Sequence, residues 1–394
     1  MDYSFTEQED ALRQEIRDFA EKELPPDWIN FYQFSEVDWE FNKAITKKLA
    51  AKKWIARNWP EEYGGAGASA FENMVFADET AYWGIPCATG MAVSIMGPMI
   101  MHFGTEEQKK KFLPPVVAGE EEGVFFLGYS EPDAGTDLAN VRTRAVRSGD
   151  EYIINGSKIW SSFAHRARWG WMLVSTNPEK KHKGMSLMIV DLKQPGVTIR
   201  PLIGMGGWHV VNEVFLDDVR CPVTNLIGEE DRGWYLVMAA LDYERAMVAN
   251  PGTSRRILDE LVAYCKETSY NGKPLSKDPI VRQKLANLAI DVDIIRMICY
   301  KNAWAGTQGL LAPHEASIAK IFSSESSQRF GNTAMEILGF YSALRPGSKW
   351  AKMHGLLNQM YNTSFVIKFA GGTNEIQRNI VAWMGLGLPK EPKK

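Results

Sequence analysis

The chain has 394 residues, of which 45% are hydrophobic and 24% charged, so it can bury a large core without disulfides. Its 45 basic and 48 acidic residues give a net charge of −3, which argues against a nucleic-acid-binding protein with a clustered basic surface. The four cysteines are far apart and form no CxxC pair, which argues against a zinc site or a disulfide framework. This cysteine usage fits a reducing compartment such as the cytoplasm.

The first zone, residues 6 to about 120, has the hydrophobic spacing of helices. Leu12, Ile16 and Phe19 recur at helical intervals, and Thr105 with Gln108 three residues later indicates a capped helix start. The first 23 residues are rich in acids and lack the apolar segment of a signal peptide. Trp83–Phe103 is uncharged and long enough to span a membrane, but its glycines and prolines favour a buried helix in a soluble protein.

The second zone, from Gly123 to Arg232, has the patterning of strands. Asn155-Gly156 between β-forming residues predicts a hairpin turn. Further strand segments are predicted at Met185–Leu192, after the turn Pro195-Gly196, and at Glu213–Val219.

The third zone, from Trp234 to Trp383, returns to long amphipathic helices. The chain is therefore predicted to have an α+β fold in which helices, strands and helices follow one another. The predicted domains are a helical N-terminal domain at 1–122, a β domain at 123–232 and a helical C-terminal domain at 233–394.

One carboxylate, Glu244, lies on the apolar stripe of a predicted helix. Trp234, Val237, Leu241 and Val248 recur at helical spacing, and Glu244 falls on the same face. Loss of hydration there raises the pKa of a carboxylate toward neutrality, which suits a general base. The alternative interpretation is an acid at the edge of the stripe, paired with an arginine.

Two further segments indicate a flat, anionic cofactor. The segment 371–374, Gly-Gly-Thr-Asn, precedes a predicted helix that Thr373 or Asn374 would cap and whose N-terminus favours phosphate. A plain loop and cap is the alternative. Trp160, followed by two serines, offers a stacking face beside hydroxyls, or else is an ordinary core tryptophan. No Rossmann or P-loop motif is present, and the six histidines lack ligand spacing, so no metal site is expected.

Six segments in a fixed order carry more information than any of them alone. They are Phe5–Gln8, Trp59–Gly65, Gly104–Lys109, Ser130–Asp137, Asn155–Ser162 and Gly371–Asn379. With them the chain resembles the acyl-CoA dehydrogenases, a family of flavoproteins, over nearly its whole length.

The resemblance implies an all-α N-terminal domain, a middle β-barrel domain and a C-terminal four-helix bundle, with FAD between the last two. It also implies that a carboxylate removes the α-proton of an acyl-CoA while the β-hydride passes to flavin N5, giving a 2-enoyl-CoA. Electrons would leave to an electron-transfer flavoprotein or similar acceptor. Family members are usually homotetramers.

The resemblance also assigns site residues. Trp160 would lie over the flavin ring, Ser162 beside N5 and Thr136 at the CoA portion. A backbone N–H near Gly372 would polarise the thioester carbonyl. The full FAD set is Leu127, Tyr129, Ser130, Trp160, Ser162, Gly339, Thr373 and Glu375, and the substrate set is Thr136, Arg245, Gly371 and Gly372.

The chain departs from the family's commonest pattern at the catalytic base. Most members carry the base immediately before Gly-Thr in the last motif, where this chain has Gly371. Members that resemble the isovaleryl and long-chain enzymes carry it instead on a C-domain helix, in an acid–arginine pair. Glu244-Arg245 matches that place, so the stripe and the resemblance select the same residue.

Other departures concern cofactor and partner. An arginine that reaches a neighbouring subunit's FAD in many members is absent from Thr268–Gly272, and the segment Glu336–Phe340 also differs. These changes are also compatible with a second interpretation, in which the chain is a non-catalytic partner subunit of a heteromeric dehydrogenase. A flavin oxidase or monooxygenase on the same fold is a third possibility.

The region Trp83–Phe103 contributes to the acyl pocket in this family. Its lack of charge and its methionines favour an apolar acyl chain that is branched, alicyclic or aryl-substituted. The methionines could equally be core filler.

Overall fold

The structure is a computed structural model that describes residues 5–26, 28, 36–248, 251–308 and 313–390; the side chains of 36–37 and 242–248 are not described. The chain forms two compact units. The helical unit comprises Met1–Tyr32, Ser69–Ile85 and Arg245–Lys394, and the sheet unit comprises Gln33–Ala68 and Pro86–Glu244. The sequence-based limits 1–122, 123–232 and 233–394 stay a prediction, because these units collect segments by contact rather than by chain order.

Capping boxes begin three of the first five helices. Thr6, Ser69 and Thr105 each accept a hydrogen bond from the backbone N–H three residues later, and the side chain of that later residue bonds back to the cap. The start predicted at Thr105, with Gln108 as its partner, is confirmed. The helices are α1 (Glu7–Glu23), α2 (Glu36–Ala51), α3 (Ala70–Trp83), α4 (Gly97–Phe103) and α5 (Glu106–Val117).

The uncharged segment Trp83–Phe103 is not one continuous helix. α3 ends at Trp83 because Gly84 takes a left-handed φ of 65°. Helical backbone resumes as a π-helical turn at Ala92–Met96 and continues into α4. The prediction of a buried helix therefore holds only for the second half of the segment. Within the described ranges, no helix is both long and apolar enough to cross a membrane.

Eight strands form one sheet in the sheet unit. The order is β6-β7-β3-β2-β4-β5-β8, and β1 runs parallel to β4 alongside. The ladders β3–β7, β6–β7 and β4–β5 are antiparallel. The strands are β1 (Phe125–Gly128), β2 (Arg144–Ser148), β3 (Glu151–Lys158), β4 (Trp169–Ser175), β5 (Met185–Asp191), β6 (Val197–Ile203), β7 (His209–Pro222) and β8 (Leu226–Ile227).

The hairpin turn predicted at Asn155-Gly156 is wrong. The turn between β2 and β3 is formed by Gly149 and Asp150, and the Asn-Gly pair lies inside β3. Gly156 has a φ of 147° at a register shift opposite β7, and a Cβ there would come within 2.6 Å of Thr143 Oγ1. Asp217 and Asp218 of β7 face the single residue Asn155, so the dipeptide lies opposite a bulge of β7 and not in a turn.

The core of the sheet unit forms from alternate residues of its strands. Tyr152 and Ile154 of β3 and Val214 and Leu216 of β7 are buried, whereas intervening residues are more exposed. The predicted apolar run after residue 185 is confirmed as β5, all but one of whose residues are buried.

Six further helices follow the sheet. Ile257 and Leu261 of α7, Leu288 of α8 and Phe330 of α9 meet in one apolar cluster of the helical unit. A two-stranded hairpin, β9 (Ser269–Tyr270) and β10 (Lys273–Pro274), lies between two of these helices. The helices are α6 (Gly233–Val248), α7 (Pro251–Glu267), α8 (Pro279–Thr307), α9 (Pro313–Leu338), α10 (Leu356–Ser364) and α11 (Asn374–Ile380). The order of helices, sheet and helices predicted from sequence is confirmed.

A buried carboxylate ties together three helices of the helical unit. Glu79 of α3 is 1% exposed and contacts Arg13 and Arg17 of α1 and Arg255 of α7 at 2.9–3.4 Å. Burial alone would raise the pKa of Glu79, but hydrogen bonds from Arg17 and Arg13 outweigh it and lower the pKa.

Candidate active site

The end of β1 places three of the predicted FAD residues. Leu127 pairs with Trp171 of β4, and the buried Tyr129 accepts a hydrogen bond from Trp171 Nε1 at 3.0 Å. Ser130 is half-buried, and its carbonyl accepts from Ile159 N at 2.9 Å. The segment after β1 is therefore bonded to the segment after β3, which carries Trp160.

A fully buried lysine anchors the turn that follows β1. Lys158 Nζ contacts Glu131 Oε1 at 2.7 Å and donates to the carbonyls of Tyr129 at 3.3 Å and Leu173 at 2.5 Å. Burial lowers the pKa of Lys158, and Glu131 opposes that shift. Burial would raise the pKa of Glu131, but Lys158, together with hydrogen bonds from Thr143 and Arg142, outweighs it, so that pKa is lowered.

Trp160 lies on a β-bulge that points its side chain outward. Lys158 still pairs with Val214, and the next paired residue is Ser161, whose backbone N–H and carbonyl both bond to Asn212. Ile159 and Trp160 therefore face only one residue of β7. Trp160 takes a left-handed φ of 58° and its side chain is 62% exposed. The alternative that Trp160 is an ordinary core tryptophan is wrong.

Ser162 and Thr136 lie in different surroundings. Ser162 is half-buried and follows the buried Ser161. The next residue, Phe163, donates its backbone N–H to Val210 O at 2.8 Å. Thr136 is exposed, just beyond the short bridge that closes the turn after Glu131.

The segment 371–374 is held by a second fully buried lysine. Lys320 Nζ of α9 donates to Gly372 O at 2.8 Å, to Asn374 Oδ1 at 2.7 Å and to Lys368 O at 2.9 Å. Gly371 and Gly372 have left-handed φ values of 65° and 88°. A Cβ on Gly372 would come within 2.6 Å of Gln377 Nε2, so a side chain there would displace the end of Gln377 in addition to straining the backbone.

Thr373 caps α11, as one of the two predicted alternatives. Its hydroxyl accepts from Ile376 N at 3.3 Å, whereas Asn374 is buried against α9. Glu375 is exposed, and hydrogen bonds from its own backbone N–H and from Thr373 lower the pKa of its carboxyl group. Gly339 follows α9 with a left-handed φ of 57° and is exposed.

The helix that carries the proposed base is present, but the side chains of Glu244 and Arg245 lie outside the described residues. On the same helix Val237 and Ala240 are buried, and Leu241 is half-buried. Position 244 comes seven residues after Val237 and four after Ala240. It therefore continues the spacing of the buried face.

The four methionines of the segment Trp83–Phe103 fall into two classes. Met96 and Met99 are fully buried, so they pack into the core of the sheet unit. Met91 and Met101 are half-buried. Only the second pair remains as a candidate for contact with an acyl chain.

Sequence reasoning missed both lysines and Asn212. Lys158 had a usable signal, because it lies at even spacing from the apolar Tyr152 and Ile154 and so on the buried face of its strand. Its partner Glu131 is 27 residues away, and no local pattern connects the two. Lys320 and Asn212 had no comparable signal.

Taken separately, each unit has described residues that fit one part of a flavin cofactor. In the sheet unit, Trp160 presents a large exposed aromatic face beside the hydroxyl of Ser162. In the helical unit, Gly371 and Gly372 leave backbone without side chains next to the capped start of α11, where Thr373 has a hydroxyl. Trp160 and Ser162 would hold the ring portion, and Thr373 the phosphate and ribose portion.

Comparison with known proteins covers almost the whole chain. The family models for the acyl-CoA dehydrogenase N-terminal, middle and C-terminal domains match residues 6–120, 127–219 and 231–385. Acyl-CoA dehydrogenase FadE26 of Mycobacterium tuberculosis is 36% identical over an alignment of 403 positions, gaps included, that covers 99% of each protein.

Two solved assemblies are similar in structure. The ChsE4-ChsE5 complex from Mycobacterium tuberculosis has a TM-score of 0.90 and 36% identity, over 99% of this chain and 100% of that one. The Tcur3481-Tcur3483 steroid ACAD has a TM-score of 0.89 and 35% identity, again over 99% and 100%. The chain belongs to the acyl-CoA dehydrogenase family of FAD-dependent oxidoreductases.

Proposed function

We propose that this chain converts an acyl-CoA with a bulky apolar acyl group into the 2-enoyl-CoA, with Glu244 as the base. The observation that carries the proposal is the backbone at Gly371. The family's commonest place for the base has no side chain here, and its φ of 65° disfavours one. The base must therefore come from elsewhere, and position 244 continues the spacing of the buried residues of α6.

One residue removes the proton, and others bind and polarise the thioester. Glu244 takes the α-proton as the α,β double bond forms. FAD, which Trp160, Ser162 and Thr373 would hold, would supply the acceptor for the β-hydride. The backbone near Gly372 donates a hydrogen bond to the thioester carbonyl and so acidifies the α-carbon. Thr136 contacts the CoA portion, and Arg245 is available to a substrate anion.

Several observations support a bulky, apolar acyl group. The segment Trp83–Phe103 carries no Asp, Glu, Lys or Arg, and Met91 and Met101 remain half-buried within it. The missing side chain at Gly371 leaves room beside the α-carbon. One structural relative is a steroid ACAD, and we extend that class of alicyclic substrate to this chain.

Anaerobic flavin bleaching by a panel of acyl-CoAs tests the function. Alicyclic and aryl acyl-CoAs should bleach the wild-type flavin faster than short straight-chain ones. Glu244→Gln should bind the thioester but bleach at least about a hundredfold more slowly, because a positioned general base supplies that factor. Adding Gly371→Glu to this variant should recover part of the rate.

Asp293→Asn is the matched control, because Asp293 is an exposed acid of α8. It should bleach at the wild-type rate. Unchanged bleaching in Glu244→Gln would exclude Glu244 as the base.

A second candidate is a subunit that works with a different partner chain. The similarity to the ChsE4-ChsE5 complex, which joins two proteins, favours it. A chain that is colourless when purified alone, and yellow when produced with a partner, would support this candidate over a homotetramer. Electron transfer from the bleached enzyme to an electron-transfer flavoprotein, without oxygen uptake, would exclude an oxidase.

A further inference from the structure

Asn212 is a fully buried residue of β7 that binds the segment carrying Trp160. Its backbone N–H and carbonyl both bond to Ser161, at 3.1 and 3.0 Å. Its side-chain Nδ2 donates to the same Ser161 carbonyl at 2.9 Å. Ser161 is therefore fixed from one side by three hydrogen bonds to a single residue.

Two histidines hold the side chain of Asn212. His165 Nδ1 lies 3.1 Å from Asn212 Nδ2, and His209 Nε2 lies 2.6 Å from Asn212 Oδ1. The two imidazole rings stack with centroids 3.9 Å apart and planes inclined by 22°. The three side chains form one contiguous group beneath the bulge of Trp160.

The hydrogen bonds determine the protonation of this group. The carbonyl of Ser161 can only accept, so the amide must present Nδ2 to it and Oδ1 to His209. His209 Nε2 must then carry a proton, whereas His165 Nδ1 must lack one in order to accept from Nδ2. The arrangement requires neutral His165.

The surroundings of His165 maintain that state. Burial, the facing His209 and the adjacent Arg166 lower the pKa of His165 to about 4. The guanidinium of Arg166 stacks on Trp39, 5.0 Å from the ring centroid. Strand β6 packs against the short turn Ala164–Arg166, which contains His165. The charged residue of β6 is Arg200, whose guanidinium stacks on the ring of Phe215.

We propose that Asn212, held between His165 and His209, is a positioning residue that fixes Ser161 and thereby directs Trp160 and Ser162 toward the flavin. The inference rests on the proposed placement of Trp160 and Ser162 at FAD. It does not depend on the identity of the base or the acyl group.

The test compares two asparagines that brace the two bulges of the same strand pair. Asn155 bonds to Asp218 across the other β3–β7 bulge, but it is exposed. In the holoenzyme, Asn212→Ala should shift the flavin absorption bands and weaken FAD binding about tenfold, as expected for lost buried hydrogen bonds. Asn155→Ala should leave both unchanged. Identical spectra and FAD affinities for the two variants would overturn the proposal.

Variants at His209 keep the test informative if Asn212→Ala does not fold. His209→Gln retains a donor for Asn212 Oδ1 and should keep the wild-type spectrum at neutral pH, whereas His209→Ala should not. Removing the neighbouring imidazole raises the pKa of His165, so the spectrum of His209→Gln should change at a higher pH during acid titration than that of wild type. Coincident titrations would contradict the proposal. No measurement uses an acyl-CoA, so a failed dehydrogenase assay cannot produce these outcomes.

Discussion

The two units each bury one lysine completely, and the two lysines are held in different ways. In the sheet unit, Lys158 lies against the carboxylate of Glu131 and two backbone carbonyls. In the helical unit, Lys320 donates to two backbone carbonyls and the amide oxygen of Asn374. Each lysine fixes a segment that carries proposed site residues.

The difference lies in the acceptors: a carboxylate is among those of Lys158, whereas the described acceptors of Lys320 are neutral oxygens. The pair of Lys158 and Glu131 depends on mutual neutralisation, because each charge alone would be expensive to bury. Lys320 donates to two backbone carbonyls and to Asn374 Oδ1, which also accepts from Ser324 Oγ. Replacing Glu131, the partner of Lys158, should therefore have a larger effect than replacing Lys320.

Glu131→Gln should give the largest effect. It leaves the charge of Lys158 buried against a neutral amide, and breaking a buried ion pair typically costs about 3–5 kcal/mol. The free energy of unfolding, measured by denaturant titration at pH 7, should fall by that amount. Asp133→Asn in the same turn is the control and should change stability by at most about 1 kcal/mol, because its pair with Arg142 is exposed.

The pH dependence sharpens this prediction. The folded-state pKa of Glu131 is below its usual value of 4.5, so its contribution is complete above that value and disappears as the pH falls through the folded-state pKa. The difference in stability between wild type and Glu131→Gln should therefore shrink in acid. A constant difference would mean that charge pairing is not the cause.

Lys320→Met should have a smaller effect, about 2–3 kcal/mol, because it removes the ammonium donor from two backbone carbonyls and from Asn374 Oδ1. Thermal or denaturant unfolding measures it. Lys301→Met is the control, because Lys301 is half-exposed and pairs with Glu315 at the surface. A loss equal to that of Glu131→Gln would remove the distinction between the two lysines.

Thr373→Ala should have the smallest effect, about 1 kcal/mol, because only the cap of α11 is lost. Thr373→Ser keeps the hydroxyl and should be close to wild type in the same unfolding measurement. A loss well above that of Lys320→Met would show that the cap, and not the lysine, holds the segment.

Local patterns in the sequence predicted what is determined locally. The spacing of apolar residues gave the order of helices and strands, and Thr105 and Thr373 were identified as caps because a cap and its partner are three residues apart. The Asn155-Gly156 turn failed because Gly156 is needed for its close approach to Thr143, opposite a bulge of β7, and not for a turn.

Long-range contacts could not be predicted in the same way. Asn212 contacts Ser161 from 51 residues away, and Lys320 contacts Asn374 from 54. Such pairs depend on the register of strands and the packing of helices, which no local window contains. The base at Glu244 remains a prediction, since its side chain lies outside the described part of the chain.

The bulge at Trp160 has a consequence for how the chain can vary. Deleting Ile159 would leave a single residue facing Glu213 and restore a regular ladder, so Trp160 would lose the bulge and the left-handed backbone that orient its indole. An insertion would disturb the same bulge. Related chains that keep an aromatic platform here should therefore differ in composition along 158–161 but show neither gaps nor additions, even though the segment lies at the surface.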